Sequence, residues 1–596
     1  MEPGSFYTSN AIELEKKLKK LQQRKSTLGI LRFGSIAAIV VIFYVLWSWG
    51  VWYVIAVSIA LLAIFIRLLF NDLKNKAAIE HLNYLIRINK DELNFLDGHF
   101  YQFADGAEYM HEDHLYANDL DIFGKNSLFQ YVNRTCSEIG SHALATYLKT
   151  PAPAAVILQR QQAIKELSAK INWVQDLQAK GKQKRITFST KERLERWIDE
   201  PPVFSAFKPW KWLRYLLPVI ILSVVALYIF DKIPSALFYF SLLVFAAIAY
   251  QVNKFVAPIH NQLSKIADEL DILSVSIEHI EKENFSCDLL KQYQLHFTHE
   301  QQKASKDISA LHKILERLDL RYNIVISIPL NILLLWNLQQ VLDLEKWKSS
   351  KKKNIHDWFT ALGHFEALNS FAVLHFNQPG WAFPQIAREY FLIEAKGMGH
   401  PLINASKRVN NDIDIRHKGE LMLVTGSNMA GKSTYLRSVG VNIILTMAGS
   451  VVCASSFTVS GVQLISSMRI TDNLAESTST FYAELKKLKT IIEKVNAGDN
   501  VFILLDEILR GTNSLDRHTG SVALMKQLIK HQSAAIIATH DLELAKLKDE
   551  FPENIVNYHF DVQVSNDELY FDYRLKPGVC NSLNASILMK KIGIEL

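Results

Sequence analysis

The residues most able to do chemistry stand at 426–434, in the order Gly426, Ser427, Asn428, Met429, Ala430, Gly431, Lys432, Ser433 and Thr434. Two glycines in this spacing let backbone N–H groups curl around phosphate oxygens, and a following helix would add its partial positive end. Lys432 has the reach to meet β and γ phosphates, and the Ser433 hydroxyl is a hard oxygen ligand of the kind magnesium takes. Farther along, Asp506 and Glu507 end a run of apolar residues, Val501 to Leu505. Asp506 would act on magnesium, directly or through water. Glu507 would polarise the attacking water. His540 closes a third apolar run and is expected to sense the γ-phosphate there, although a lone histidine is commonly a satisfied surface or core group. The catalytic set read from the sequence is therefore Glu507, His540 and Lys432, with ATP and Mg2+ as cofactors.

Such residues work only if the chain brings them to one edge. Residues 421–425 (Leu-Met-Leu-Val-Thr) read as a strand, and Tyr435 onward reads as a helix, which is the context a phosphate loop needs. The runs 501–505 and 534–539 have the continuous apolar character of strands buried on both faces. Open α/β sheets keep their ligands at the carboxyl ends of such strands. The expected fold class is an α/β P-loop NTPase domain at the C-terminal end, of the ATP-binding-cassette-like type.

These segments resemble the ATPase domain of the MutS family. The resemblance is carried by the loop 426–437 with Asn428 and Met429 inside it, by Asp506-Glu507 with the following Arg510-Gly511-Thr512 turn, and by Arg469 to Leu474 with Ser479 to Glu484. Ala538 to Asp541, Gly578 to Ser582, Gly399 to Leu402 and Asn411-Asp412 fit as well. It implies a homodimer in which Ser479 completes the partner's nucleotide site. It also implies nucleotide-driven movement of helical levers around DNA. Where relatives often set an aromatic against the adenine, this chain has Arg408-Val409, so Arg408 is the expected adenine contact. The resemblance extends over residues 119–596. Asp119 to Gly124, Asn133 to Thr135, Gly140 and Ile157 to Leu167 look like the start of the family's helical core. The stripes Leu263, Ile266, Leu270, Leu273, Ile277, Ile280 and Ile308, Leu311, Leu315, Leu318 look like its paired levers. An ordinary coiled-coil stalk has the same periodicity. Phe365 to Ala372 resembles the helix that returns to the ATPase. The family's mismatch-reading domain is expected to be missing, because too few residues separate the first apolar pair from the core. Its Phe-x-Glu wedge is not found there, and no endonuclease-like extension is expected after Leu596.

Unlike the familiar repair proteins, the chain has four long apolar stretches, at about 28–47, 51–70, 213–230 and 233–250. The first two are long enough to cross a ~30 Å hydrocarbon layer as helices, and the second pair sits near the lower length limit. Trp47, Trp49 and Trp52 at the first bend, and Trp210 and Trp212 before the second pair, are the expected interfacial anchors. Lys16, Lys17, Lys19, Lys20, Arg24, Lys25 and Arg32 precede the first pair and Arg67, Lys74 and Lys76 end it, while the bends are nearly free of basic residues. This asymmetry places the N-terminus and the ATPase in the cytoplasm of a multi-pass membrane protein. The organisation expected is residues 1–76 as an amphipathic segment and hairpin, 77–210 as the first part of an all-α core, 211–254 as a second hairpin, 255–385 as levers and return, and 386–596 as the ATPase. Residues 324–341 are expected to form one buried or membrane-surface helix.

The composition is 49% hydrophobic, as suits a membrane-attached protein with a large soluble part, and a net charge of +6 is too mild to argue for nucleic acid. Cys136, Cys287, Cys453 and Cys580 have no pairing or metal spacing and are expected to be reduced. Three functions remain open: a membrane-tethered switch acting on DNA, a motor for a membrane process without DNA, and a nucleotide-regulated scaffold. Glu507 argues against the last.

Overall fold

In the computed structural model, the described residues are 2–46, 50–111, 113–205, 207, 209–299, 302–352, 354–387, 391–427, 430–469, 480–565 and 568–580. The first apolar pair belongs to helices α1 (Pro3–Leu46) and α2 (Val51–Leu96), of 44 and 46 residues. At 1.5 Å per residue each is roughly 66–69 Å long, about twice the hydrocarbon thickness of a bilayer. Only the halves nearest the bend are apolar, and these are exposed, Phe33 by 77% and Val40 by 66%. The remaining halves extend as an antiparallel pair into the protein. Arg32 and Asp72 form an ion pair where the apolar and polar halves meet. Beyond it Asn75 Nδ2 donates to the Leu21 carbonyl (3.0 Å), and Tyr7 O–H donates to Asn377 Oδ1 (2.7 Å). The expected spans are therefore segments of longer struts rather than separate helices.

These struts end in a core built around α9 (Ile355–Asn377), most of which is buried. It crosses the helix Glu138–Lys149 at Gly140 and Gly363. A methyl group on Gly140 would lie 2.0 Å from Glu366 Oε2, and one on Gly363 2.8 Å from Ile139, so both crossings require glycine. Glu366 Oε2 accepts from the Cys136 and Ser137 N–H groups (3.0 and 2.9 Å) and from Ser137 Oγ (2.9 Å). Burial pushes this carboxyl up from its ordinary range. Glu92 at the base of α2 meets Arg134 through a paired contact, Oε1–Nε 2.5 Å and Oε2–Nη2 3.1 Å, and both side chains are buried. The guanidinium stacks 3.8 Å above the Phe103 ring centre, and Asn377 Nδ2 donates to Glu92 Oε2 (2.7 Å). This buried charge pair is one of the ties between the first hairpin and the core.

The second hairpin, α3 (Trp210–Ile229) and α4 (Ser235–Leu263), is inserted between core helices. Across the four apolar helices, at most 11% of the most apolar window is buried in each. A helix of a soluble core hides one face, so these helices are long and apolar enough to cross a membrane and lack a protein covering. After a single 3-10 turn α4 runs on into α5 (Ala267–Glu281), which packs against α6 (Ala304–Asp319). The two predicted stripes lie in this seam, and every residue of both is buried.

Residues 324–341 do not form one helix. α7 (Ile324–Leu334) packs on α3 and α4 with Ile324 and Val325 70% and 82% exposed, whereas α8 (Trp336–Lys351) turns away by 77° into the core. The break falls at Leu335, which adopts φ 47°, and Pro329 already weakens the preceding helix. The single buried or membrane-surface helix expected here is thus two helices, the first largely exposed against the second hairpin and the second in the core.

The C-terminal part holds two sheets. A four-stranded one has the order β1-β5-β2-β3, from β1 (Gln385–Ala387), β2 (Ile393–Met398), β3 (Asn411–Ile415) and β5 (Ser456–Ser460). The six-stranded one contains β4 (Leu421–Thr425), β6 (Gln463–Ser467), β7 (Val501–Asp506), β8 (Ala534–Thr539), β9 (Ile555–Ser565) and β10 (Glu568–Pro577). Its order is β10-β9-β4-β8-β7-β6, parallel except for the β9–β10 hairpin. β4, β7 and β8 are buried at every position or nearly so, which explains their unbroken apolar runs.

Replacing Arg134 by Met would leave the Glu92 carboxylate buried without its cation. The expected cost is about 3–5 kcal/mol, read as a lower unfolding midpoint of the detergent-solubilised chain by near-ultraviolet circular dichroism. An unchanged midpoint would contradict the role assigned to this pair.

Candidate functional site

Strand register sets the site. Thr425 at the end of β4 pairs with Thr539 at the end of β8, and Ala538 pairs with Asp506 at the end of β7. Three carboxyl ends therefore open on the same edge. From Thr425 the chain turns through the loop and enters helix α10 (Lys432–Ala448). Gly426 (φ 138°) lies where a methyl group would come 2.7 Å from the Phe560 carbonyl, and Gly431 (φ 107°) is the residue before the helix. Both positions demand glycine. Ala430 is buried, while Ser427 and Thr434 are exposed along the same turn. Asn428 and Met429 lie outside the described residues, as does Ser479.

The charged groups converge. Ser433 Oγ donates to Asp506 Oδ2 at 2.5 Å. Lys432, 1% exposed, donates from Nζ to the Gly426 and Ser427 carbonyls (2.7 and 3.0 Å) and lies 3.4 Å from His540 Nε2. Burial holds its ammonium down to about 8 against the pull of Asp506 and Glu507. Glu507 adopts φ 56° and its N–H donates to the Ala538 carbonyl (2.9 Å), locking the acidic turn to β8. Its Oε1 lies 2.8 Å from His540 Nε2 and its Oε2 3.1 Å from Arg510 Nε. The His540 hydrogen bond, outweighing burial, holds this carboxyl below its usual range, and Arg510 and Lys432 add to the effect. Every described member of the predicted catalytic set is within one contact of another.

ATP and magnesium can be tested against these groups. A hydroxyl and a carboxylate 2.5 Å apart at the start of a helix form the hard oxygen pair that magnesium prefers. The first turn of α10 has N–H groups with no acceptor inside the helix, beside a loop where two glycines keep side chains away. Lys432 spends its donors on loop carbonyls, contacts that phosphate oxygens would replace. The residues present fit the triphosphate and the cation.

Arg408 is placed differently from the cluster. Its guanidinium carbon lies 5.9 Å above the Trp381 ring centre, its Nε donates to Asn410 Oδ1 (3.2 Å), and its Nη1 donates to the Ile403 carbonyl (3.5 Å). One aromatic ring close to the loop is that of Tyr573, 3.1 Å from the position of a Gly431 methyl group. Tyr573 sits at φ 52° on β10, where Asn411 Nδ2 donates to its carbonyl (3.0 Å). A flat ring beside a phosphate loop is a surface on which a purine can stack. The sequence gives no sign of it, because β10 returns to the loop from far along the chain.

Two further arrangements escaped the sequence reading. Glu484 on α11 (Thr480–Asn496), 4% exposed, accepts from the Leu509 and Arg510 N–H groups (2.5 and 3.1 Å) and so fixes the turn after Glu507. Burial pushes its carboxyl up. Asp119 and Asp121 of the helical core reach into the ATPase. Asp119 accepts from Ser466 Oγ (2.7 Å) and the Arg469 N–H (3.0 Å) and pairs with Lys487 (2.7 Å). Asp121 bridges Arg437 of α10 and Arg469 (2.8 and 2.5 Å). Asp119 thus holds residues on either side of 470–479, and Asp121 holds Arg469 just before that segment.

Comparison with known proteins agrees with this geometry. Residues 422–590 match the family model of MutS domain V, and this part of the chain is a P-loop ATPase domain of that type. The chain is 34% identical over 227 residues to a DNA mismatch repair protein MutS from Aquifex pyrophilus, covering 37% of this chain and 26% of the relative. It is 35% identical over 224 residues to one from Ehrlichia chaffeensis (37% and 27%) and 32% over 268 residues to one from Prochlorococcus marinus (42% and 27%). The match spans about a quarter of the length of these relatives.

Phosphate binding needs Lys432 charged, and its nucleotide-free ammonium titrates at about 8. A bound triphosphate would raise that value, so affinity must fall as pH rises through it. Between pH 7 and pH 9 the charged fraction drops roughly tenfold, and the Kd for a fluorescent ATP analogue should rise by about the same factor. An affinity flat over this range would contradict the burial argument.

Proposed function

We propose that the chain is a membrane-anchored, MutS-like ATPase that binds ATP with Mg2+, hydrolyses it, and uses the cycle to switch its helical part on DNA. The observation that carries the reading is the joint placement of Ser433 with Asp506 and of Glu507 with His540, on one edge of a sheet that matches MutS domain V. Lys432 and the α10 N-terminus would hold the phosphates, and Ser433 with Asp506 would hold magnesium, which supplies positive charge to the transferring phosphoryl group. Glu507 keeps lone pairs free on both oxygens beyond its contacts with His540 and Arg510, so it can take a hydrogen bond from the attacking water and orient it. His540 would follow the γ-phosphate and pass its loss to Glu507 and Lys432, both of which it touches.

A homodimer is part of this proposal. Ser479 would act on the nucleotide of the partner, and Glu484, in the same segment, ties that segment to the turn after Glu507. Movement there would travel through Asp119 and Asp121 to the helical core. The hairpins, with α4 running on into α5, would anchor that core to the cytoplasmic side of a bilayer. The named activity of the relatives, DNA mismatch repair, supports DNA as the object of the switch.

A second reading is a motor for a membrane protein partner, without DNA. It is favoured by the restriction of the match to the ATPase end and by apolar helices absent from that match. One experiment separates the two. Phosphate release by the detergent-solubilised chain is measured alone and with duplex, branched or mismatched DNA, beside Glu507→Gln. The variant should lose at least about 100-fold in turnover while still binding ATP, and DNA should change the rate of the parent chain. Rates indifferent to every DNA would remove DNA from the proposal. Turnover surviving in Glu507→Gln would remove the assigned base.

A further inference from the structure

The second hairpin carries a cavity that the nucleotide site does not use. A groove of about 470 Å³ follows α4 from Leu243 past Ala247 to Phe255, walled on the other side by Phe204 and Trp210. Gln251 is the one amide side chain in its lining, and the rest is hydrocarbon or aromatic. Leu243 and Phe255 are 68% and 52% exposed, so the groove is open to its surroundings. Residues 243–255 span about 18 Å of helix, close to the ~15 Å that one leaflet contributes to the hydrocarbon layer.

The two ends of this groove differ in charge. Lys254 precedes the lining residue Phe255 on α4, Lys211 follows the lining residue Trp210 on α3, and both lysines are exposed. Neither has an ion-pair partner among the described residues, whereas nearby Arg214 is held by Gln339 (2.8 Å) and Asp343 (3.1 Å). Trp210 and Trp212 mark the same level, where amphipathic rings gather at a bilayer surface. The Leu243 end, toward the Phe230–Pro234 bend, is apolar.

We infer that this groove holds one acyl chain of an anionic glycerophospholipid from the cytoplasmic leaflet, with its phosphate and headgroup charge set against Lys211 and Lys254. The inference rests on the membrane anchoring proposed above. A hydrocarbon chain fits a slot one leaflet deep, and two unpaired cations at its mouth call for net negative charge. A zwitterionic lipid would bring its own ammonium to the same lysines. A packed helix is about 10 Å wide and would leave both cations uncompensated.

The test uses the full chain extracted in detergent and titrated with phosphatidylglycerol or phosphatidylcholine of identical acyl chains, with bound lipid counted by native mass spectrometry. One phosphatidylglycerol should be retained about tenfold more tightly than phosphatidylcholine. The double change Lys211→Gln and Lys254→Gln should erase that preference, and Ala247→Trp should expel the lipid. Equal retention of the two lipids, or phosphatidylglycerol binding indifferent to both variants, would overturn the inference. The double lysine variant alters exposed side chains only, so it still reads the charge requirement if Ala247→Trp fails to fold. A chain recovered from the high-speed supernatant without detergent would instead overturn the membrane anchoring itself.

Discussion

The site depends on the register of three parallel strands. β4, β8 and β7 pair so that Thr425, Thr539 and Asp506 end at nearly the same level. A shift of one residue in either ladder would turn Asp506 or Glu507 to the opposite face and separate the carboxylates from Ser433 and Lys432. Register in turn is held by burial on both faces, since each of these strands is sandwiched between layers that admit only hydrocarbon. The cost is paid in backbone conformation: Glu507 and Leu509 both stand at positive φ, at 56° and 58°, so that the turn after β7 can present its carboxylate. Glu484 steadies that turn from α11, using a buried carboxylate to accept the two N–H groups it exposes.

The second level of organisation links this edge to the helices. Asp119 and Asp121 belong to the helical core yet satisfy Ser466, Arg469, Lys487 and Arg437 of the ATPase. α10, whose N-terminus opens on the edge that carries Asp506, also packs on the core helices Glu138–Lys149 and Ala154–Ala169. A displacement at this edge thus has two stiff routes into the core. From there α9, the Glu92–Arg134 pair and the α4–α5 continuation lead outward to the two apolar hairpins. Polar contacts at Tyr7 and Glu92 make the first hairpin a strut continuous with the core, and Asn75 joins its two helices to each other.

Much of the ATPase was legible because its chemistry is local. Gly426, Gly431, Lys432 and Ser433 are close neighbours in the sequence, and the strand character of 421–425, 501–505 and 534–539 follows from uninterrupted apolar runs. The stripes at 263–280 and 308–318 were equally readable, since a buried seam imposes its period on the sequence. What escaped depends on distant contacts. Tyr573 meets Gly431 only because a late hairpin folds back over the loop. Asp119 and Asp121 were visible as a motif, but their partners lie on α10, β6 and α11, which no spacing rule connects to them. Residues 324–341 were read as one helix because their hydropathy is continuous; the break at Leu335 arises where α7 follows the second hairpin and α8 follows the core. The length of α1 and α2 was missed for a related reason, as hydropathy marks only the apolar half of each strut.

The central claim is that a magnesium-bound triphosphate is held at the edge formed by Ser433, Asp506 and Lys432. Its most direct test is calorimetric titration of ATP into the full detergent-solubilised chain, with and without Mg2+, alongside Ser433→Ala and Asp506→Asn. The account predicts saturable binding that magnesium strengthens in the parent chain and that magnesium no longer strengthens in either variant. Absence of saturable binding in the parent, or an undiminished magnesium effect in both variants, would contradict it.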